Sequence, residues 1–388
     1  MRILIASDKF KGSATGPAVA AALAEGISQA APGTVIDAVP VADGGEGTVD
    51  AALAAGFEAV SATVTGPAGL PVEARFGVRG GQAIIEMAAA SGLDLLPGGV
   101  KDALGATSRG TGELIAAALD RGATSIVLGI GGSANSDGGA GMLQALGVSL
   151  RDADGQELPG GGGALARIAA VDVSELDPRL AAAEIVLASD VDNPLLGERG
   201  APAVFGPQKG ASPEDVAVLD AALARFAALL EQQPGIRAAT DLPGAGGAGG
   251  VGYAALAALG ARREPGVEVV QRLTGLAEAL GSGDAKADLV ITGEGSLDDQ
   301  SLGGKTPLGV AAAARAAGIP VIAVCGRSTL SPEAAQAAGF ARVYALSELE
   351  PDPARSMAEA VSLLTEVGRR IGAEVSELVP QGLSRHGR

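Results

Sequence analysis

Three glycine-rich loops that also carry acids, each behind a short apolar segment, constrain this chain more than any other feature. They are Val41-Ala-Asp-Gly-Gly-Glu-Gly-Thr48, Gly129-Ile-Gly-Gly-Ser-Ala-Asn-Ser-Asp-Gly-Gly-Ala-Gly141 and Ile291-Thr-Gly-Glu-Gly-Ser-Leu-Asp298. A strand that feeds such a turn and then a helix offers backbone N–H groups and a positive dipole end to an anion. Carboxylates in the same loops would repel a bare phosphate. They fit a site where a divalent cation mediates the contact or where a sugar-like hydroxyl is held. The combination points to an enzyme that handles phosphate.

The segments around these loops set the fold class. Apolar runs at Ile3–Ala6, Val35–Val39, Ile126–Gly129, Ile185–Ala188, Leu289–Thr292, Val321–Val324 and Val343–Leu346 read as strands. Several are apolar throughout, as parallel strands covered on both faces are. Helical patterns lie between them at Ala18–Gln29, Thr48–Ala55, Gly112–Ala118, Pro213–Glu231, Val267–Leu280, Leu308–Ala317 and Ala354–Ile371. Ser212 before Pro213-Glu-Asp215 is a helix start, with proline at N1 and acids in the first turn. The alternation predicts an α/β protein with parallel sheet. Residues Ala59–Met87 differ, with three strand-like runs separated by Gly66-Pro67 and Gly80-Gly81 and no helix between, which predicts antiparallel pairing. At 388 residues, two domains are the expectation.

Composition removes whole classes of function. The net charge of −17 argues against nucleic acid and against an anionic membrane surface. No apolar run is long enough to span a bilayer, and Arg2-Ile-Leu-Ile-Ala6 lacks the form of a signal peptide. The expected location is cytoplasmic. The single cysteine, Cys325, excludes an internal disulfide and follows the apolar Val321–Val324, which suits a buried structural thiol. The single histidine is His386, so His-based triads and metal sites are all but excluded and acid–base work falls to carboxylates or lysines.

Single motifs leave alternatives open. Gly304-Lys305-Thr306 resembles a phosphate-binding P-loop, but position 299 is Asp where the motif needs Gly; Lys305 can still meet a phosphate. Gly129-Ile-Gly-Gly-Ser-Ala134 satisfies a dinucleotide fingerprint, with Asp152 and Asp154 near the spacing of a ribose-binding acid, while Asp137 and Gly138-Gly139 sit where the helix should begin. Asp8-Lys9-Phe-Lys11-Gly-Ser13 is either a solvated loop or a ligand loop at a strand C-terminus. Asp190 and Asp192 either cap a turn leading to Pro194 or supply a base or metal ligand. Phe205-Gly-Pro-Gln-Lys-Gly210 is another tight turn with one cation. Pro243–Gly252 reads equally as a ligand-facing loop and as a spacer.

Taken together these stretches resemble the bacterial type I glycerate kinase family (glycerate 2-kinase). The likeness runs from about residue 1 to 375, in order, through Ser7–Ser13, Pro40–Thr48, Ile85–Leu93, Thr107–Ile115, Gly129–Gly141, Ser189–Leu195, Val204–Gly210, Asp288–Gly295 and Gly304–Pro307. Asn135-Ser136 and Arg109 depart from the family's usual pattern. The resemblance implies transfer of the γ-phosphoryl group of ATP to D-glycerate with Mg²⁺, giving 2-phosphoglycerate in an interdomain cleft. It also implies two different α/β domains. One, Rossmann- or flavodoxin-like with parallel sheet, is expected at residues 1–65 plus 286–388. The other, with mixed sheet, is expected at 66–285. Asp190, Lys11 and Lys9 are the expected catalytic residues. Asp43, Gly44, Gly45, Ser133, Asn135, Asp137, Gly138, Asn193, Glu294 and Lys305 are expected to bind substrate or nucleotide, and Asp298 and Glu294 the metal. A homodimer is compatible with this reading. The competing readings are an NAD-dependent oxidoreductase using Gly129–Ala134, 3-phosphoglycerate as the product, and an inert small-molecule binder.

Overall fold

The computed structural model describes residues 1–299, 301 and 305–378, so His386 and Gly304 lie outside the described residues. In chain order the strands and α-helices are β1 (Arg2–Ser7), α1 (Gly16–Ala30), β2 (Val35–Ala38), α2 (Thr48–Ala54), β3 (Glu58–Thr65), β4 (Pro71–Arg79), β5 (Gln82–Glu86), α3 (Ala88–Ser91), α4 (Arg109–Asp120), β6 (Ser125–Gly129), α5 (Ala140–Ala145), β7 (Ser149–Arg151), β8 (Ala170–Asp172), β9 (Glu184–Ala188), α6 (Ala201–Phe205), α7 (Pro213–Leu230), α8 (Val251–Ala258), β10 (Arg262–Glu264), α9 (Gly266–Thr274), α10 (Leu276–Leu280), β11 (Leu289–Leu297), α11 (Thr306–Ala316), β12 (Val321–Ser328), α12 (Pro332–Ala337), β13 (Arg342–Ala345), α13 (Pro353–Ala358) and α14 (Ala360–Leu378). They form two compact units, residues 1–43 with the chain from Val270 onward, and residues 44–269.

The first unit holds a parallel five-stranded sheet in the order β13-β12-β11-β1-β2. Side chains alternate across a strand. Leu4, Ala6, Val290 and Val321 therefore pack on one face with Val310 and Ala311 of α11, while Ile3, Ile5, Ile291 and Ile322 pack on the other with Leu23 of α1 and Leu364 of α14. Both faces are covered, which explains the continuous apolar strands. Cys325 is buried on β12, its Sγ donates to the Tyr344 carbonyl, and burial pushes its thiol up to about 12. The chain leaves β1 for β2 on one side and reaches β11, β12 and β13 on the other, so the strand order reverses between β1 and β11. In open α/β sheets a ligand crevice opens at the carboxyl ends of the strands flanking such a reversal.

The second unit holds a mixed six-stranded sheet in the order β10-β9-β6-β5-β4-β3. Strands β10, β9, β6 and β5 run parallel, and β5, β4 and β3 form the antiparallel meander predicted for Ala59–Met87. The short strands β7 and β8 pair as a separate ribbon. Ser212 caps α7 through a reciprocal capping box with Asp215.

The unit limits differ from the expected 65/66 and 285/286. Strand β3 pairs with β4 over its whole length, from Glu58↔Val78 to Thr65↔Pro71, so residues 58–65 belong with the second sheet. At the other end the division falls inside α9, and Leu276 and Leu280 of α10 pack in one core with Leu4. The single helix predicted for Val267–Leu280 is broken at Gly275, whose φ of 70° starts α10. The one predicted for Ala354–Ile371 is broken at Glu359. Among the described residues no helix is long and apolar enough to cross a membrane.

Candidate active site

In the first unit, the reversal between β1 and β11 gathers acids and lysines. The Asp8 amide donates to the Gly293 carbonyl at 2.9 Å, which ties the end of β1 to β11. The Asp8 carboxylate accepts from the Lys9 amide at 2.7 Å and from the Thr306 hydroxyl at 2.9 Å, at the first turn of α11. Burial above all, and then the Asp43 carboxylate, push the Asp8 carboxyl up to about 7, against the opposing pull of the Lys9 amide, Thr306 and the Lys9 ammonium. Burial also raises Glu294, helped by Asp298 and Asp43 and opposed by Ser301 and Lys305. Asp298 accepts from the Ser301 amide at 3.3 Å, and Lys305 is the N-cap residue of α11. Asp8, Lys9, Asp43, Glu294, Asp298 and Lys305 thus share one electrostatic neighbourhood. Lys11 is exposed, two residues beyond Lys9, in the turn closed by the Phe10–Ala14 bridge.

No group of three or more His, Cys, Asp or Glu side chains converges as a metal cage among the described residues. Magnesium in kinase sites needs none, because it binds through one or two carboxylates plus phosphate oxygens and retained waters. The Oε1 of Glu294 is buried without a hydrogen-bond partner, the condition a bound cation would relieve. Glu294 and Asp298 therefore fit the expected metal pair.

In the second unit, the carboxyl ends of β6 and β9 meet the Gly44-Gly45 turn. A Cβ on Gly129 would stand 2.3 Å from the Gly44 carbonyl oxygen, and one on Gly131 would stand 2.7 Å from the Gly45 Cα, so only glycine permits this approach. Asp190 is exposed just beyond β9, and its Oδ1 accepts from the Gly266 amide at the start of α9 at 2.9 Å. Gly266 in turn lies against Gly44. Asn193 donates from Nδ2 to the Arg199 carbonyl at 2.8 Å and so holds the 193–199 turn.

Two helix N-termini behind the glycine-rich loops are already occupied by carboxylates of the chain itself. Glu86, at the end of β5, accepts from the Gly47 and Val49 amides at 3.0 and 2.5 Å and caps α2. Asp137 is fully buried and accepts from the Ser108 amide and hydroxyl, from Asn135 Nδ2, and from the Gly139 and Gly141 amides at the start of α5, at 2.8–3.3 Å. The anion site that the dinucleotide fingerprint requires is therefore filled by Asp137. Asp152, one of the two spaced acids, instead closes its own turn by accepting from the Asp154 and Gln156 amides. The geometry gives no support to the oxidoreductase reading.

Ser133, Asn135, Asp137 and Gly138 form one buried turn. Its neighbour is the Pro243–Gly252 stretch, which packs against it rather than serving as a spacer. Asn135 Nδ2 donates to the Ala248 carbonyl at 3.1 Å, and the Gly138 amide donates to the Gly249 carbonyl at 2.9 Å. Lys209 is buried beneath the same turn, its amine lowered to about 7 by desolvation against the pull of Asp137. Sequence reasoning had no local signal for Glu86 as a cap or for Lys209 as a core residue. Thr306 and Asp8 stood beside residues already singled out.

Residues 3–376 match the Glycerate kinase family. The chain is 47% identical over 332 residues to the glycerate 2-kinase of Escherichia coli K12, covering 85% of this chain and 86% of that protein. It is 44% identical over 349 residues to the glycerate kinase of Bacillus subtilis 168, covering 89% and 90%. A crystal structure of a proposed glycerate kinase 2 from Salmonella typhimurium LT2 superposes with a TM-score of 0.83 at 43% identity, covering 97% of this chain and 98% of that one.

Proposed function

The chain belongs to the glycerate kinase family, and we propose on that premise that it phosphorylates D-glycerate at O2 with ATP and Mg²⁺, giving 2-phosphoglycerate and ADP. The observation that carries this is the near full-length likeness to the Escherichia coli glycerate 2-kinase. The acid–lysine cluster at the strand-order reversal supports it, since phosphoryl transfer needs mostly positioning and charge stabilisation.

In this reading Lys9, Lys11 and Lys305 neutralise phosphoryl or carboxylate charge as compact cations. Glu294 and Asp298 would hold Mg²⁺, which supplies charge neutralisation on the phosphates when bound. Asp43, Gly44 and Gly45, with Ser133, Asn135, Gly138 and Asn193, would bind glycerate or nucleotide. Asp137 enters this set as the internal cap that shapes the turn. Asp190 would orient the glycerate hydroxyl and accept its proton. The nominated residues divide between the two units. A coupled ADP-release assay with saturating MgATP tests the activity, and no glycerate-dependent signal would sink it. Phosphorus NMR of the product separates 2-phosphoglycerate from 3-phosphoglycerate.

A further inference from the structure

Lys209 ends the short turn Pro207–Lys209 behind α6 and is 1% exposed, the one Lys or Arg in the buried interior among the described residues. Lysine is almost never fully buried unless it is paired. Here its Nζ donates to Ser133 Oγ at 2.8 Å and to the Asn135 backbone carbonyl at 2.5 Å, across 76 and 74 positions of sequence. The turn it grips is tied down on other sides by the backbone. The Ala134 amide donates to the Ser91 carbonyl, and the Leu93 amide to the Gly132 carbonyl. Within the turn, the Oδ1 of Asn135 and the Oγ of Ser136 are buried without hydrogen-bond partners. Buried polar atoms are normally paired, so these two adjacent atoms have bonding capacity left for a water or a ligand.

A core selected for stability alone would place Leu or Met at this position. Taking an ammonium out of water is costly, and replacing buried ions by apolar residues of similar volume is often neutral or stabilising. We infer that Lys209 is a positioning residue, whose buried amine pins Ser133 and the Asn135 carbonyl and so holds the Gly131–Asp137 turn in the conformation that binds substrate. This rests on the glycerate kinase reading, in which Ser133 and Asn135 are nominated to bind glycerate or nucleotide.

The test compares wild type with Lys209→Met by steady-state kinetics and thermal unfolding. The expected result is a fall in kcat/KM of at least about tenfold, carried mainly by KM, with Tm unchanged or raised. A purely structural lysine would instead lower Tm and leave the kinetic constants of the folded enzyme as they were, and that result overturns the inference. Should Lys209→Met not fold, Lys209→Gln decides: it shortens the side chain and removes the charge while keeping a polar end group, and it is expected to lower kcat/KM mainly through KM, whereas wild-type constants would overturn the inference. A wild-type enzyme without glycerate-dependent turnover would fail the kinase reading and this inference with it. An active wild type with a kinetically normal Lys209→Met would fail this inference alone.

Discussion

Asp8 and Asp190 both follow the carboxyl end of a strand, yet their surroundings divide them. Asp190 is exposed, and one oxygen accepts from the Gly266 amide. Asparagine keeps an oxygen for that bond, so Asp190→Asn is expected to hold Tm while kcat falls on the order of a hundredfold or more, with a smaller change in glycerate KM. Steady-state kinetics with retained kcat would assign Asp190 to capping α9 instead. Asp8 carries its proton to about pH 7, above its ordinary value of 3.8. The folded chain therefore binds more protons than the unfolded chain between those limits, and stability falls as pH rises through them. Asp8→Asn is expected to remove that slope, making the variant relatively more stable at pH 8 than at pH 4 by on the order of 3 kcal/mol. Denaturant unfolding in Mg²⁺-free buffer at both pH values reads this directly, and parallel curves for the two proteins would contradict it.

At the scale of elements, the 243–252 stretch acts as a wall for the Ser133–Gly138 turn. Gly249 has a φ of 65°, and a Cβ there would stand 2.1 Å from the Asn135 carbonyl oxygen. Gly249→Ala therefore meets both backbone strain and a backbone clash that no rotamer relieves. It is expected to cost at least about 2 kcal/mol and to lower activity by displacing Asn135. Urea unfolding with the midpoint and activity of wild type would refute the packing argument. Glu86 and Asp137 act at the same scale, because each carboxylate satisfies a helix start, Glu86 from the distant end of β5 and Asp137 from the loop that leads into α5.

At the scale of the molecule, a ligand that binds only the native chain raises its melting point by mass action. MgATP at about a hundred times its Kd is expected to add about 2.7 kcal/mol of apparent stability, and NAD at the same concentration is expected to add none. A thermal scan in which NAD shifts Tm and MgATP does not would reverse the ranking of the two enzyme classes.

The sequence by itself determined the α/β class, the antiparallel stretch at residues 59–87 and the strand ends that carry acids and lysines. These are readable because apolar periodicity, turn residues and residue inventory are local properties. Tertiary structure alone decided that β11 lies beside β1 and that Glu86 fills the start of α2. It also decided that Lys209, which reads as an ordinary turn lysine, is buried under Ser133. Each of these depends on which distant segment supplies the partner for a backbone amide, a strand edge or a buried amine. Long-range pairing of that kind leaves no mark on the neighbouring sequence.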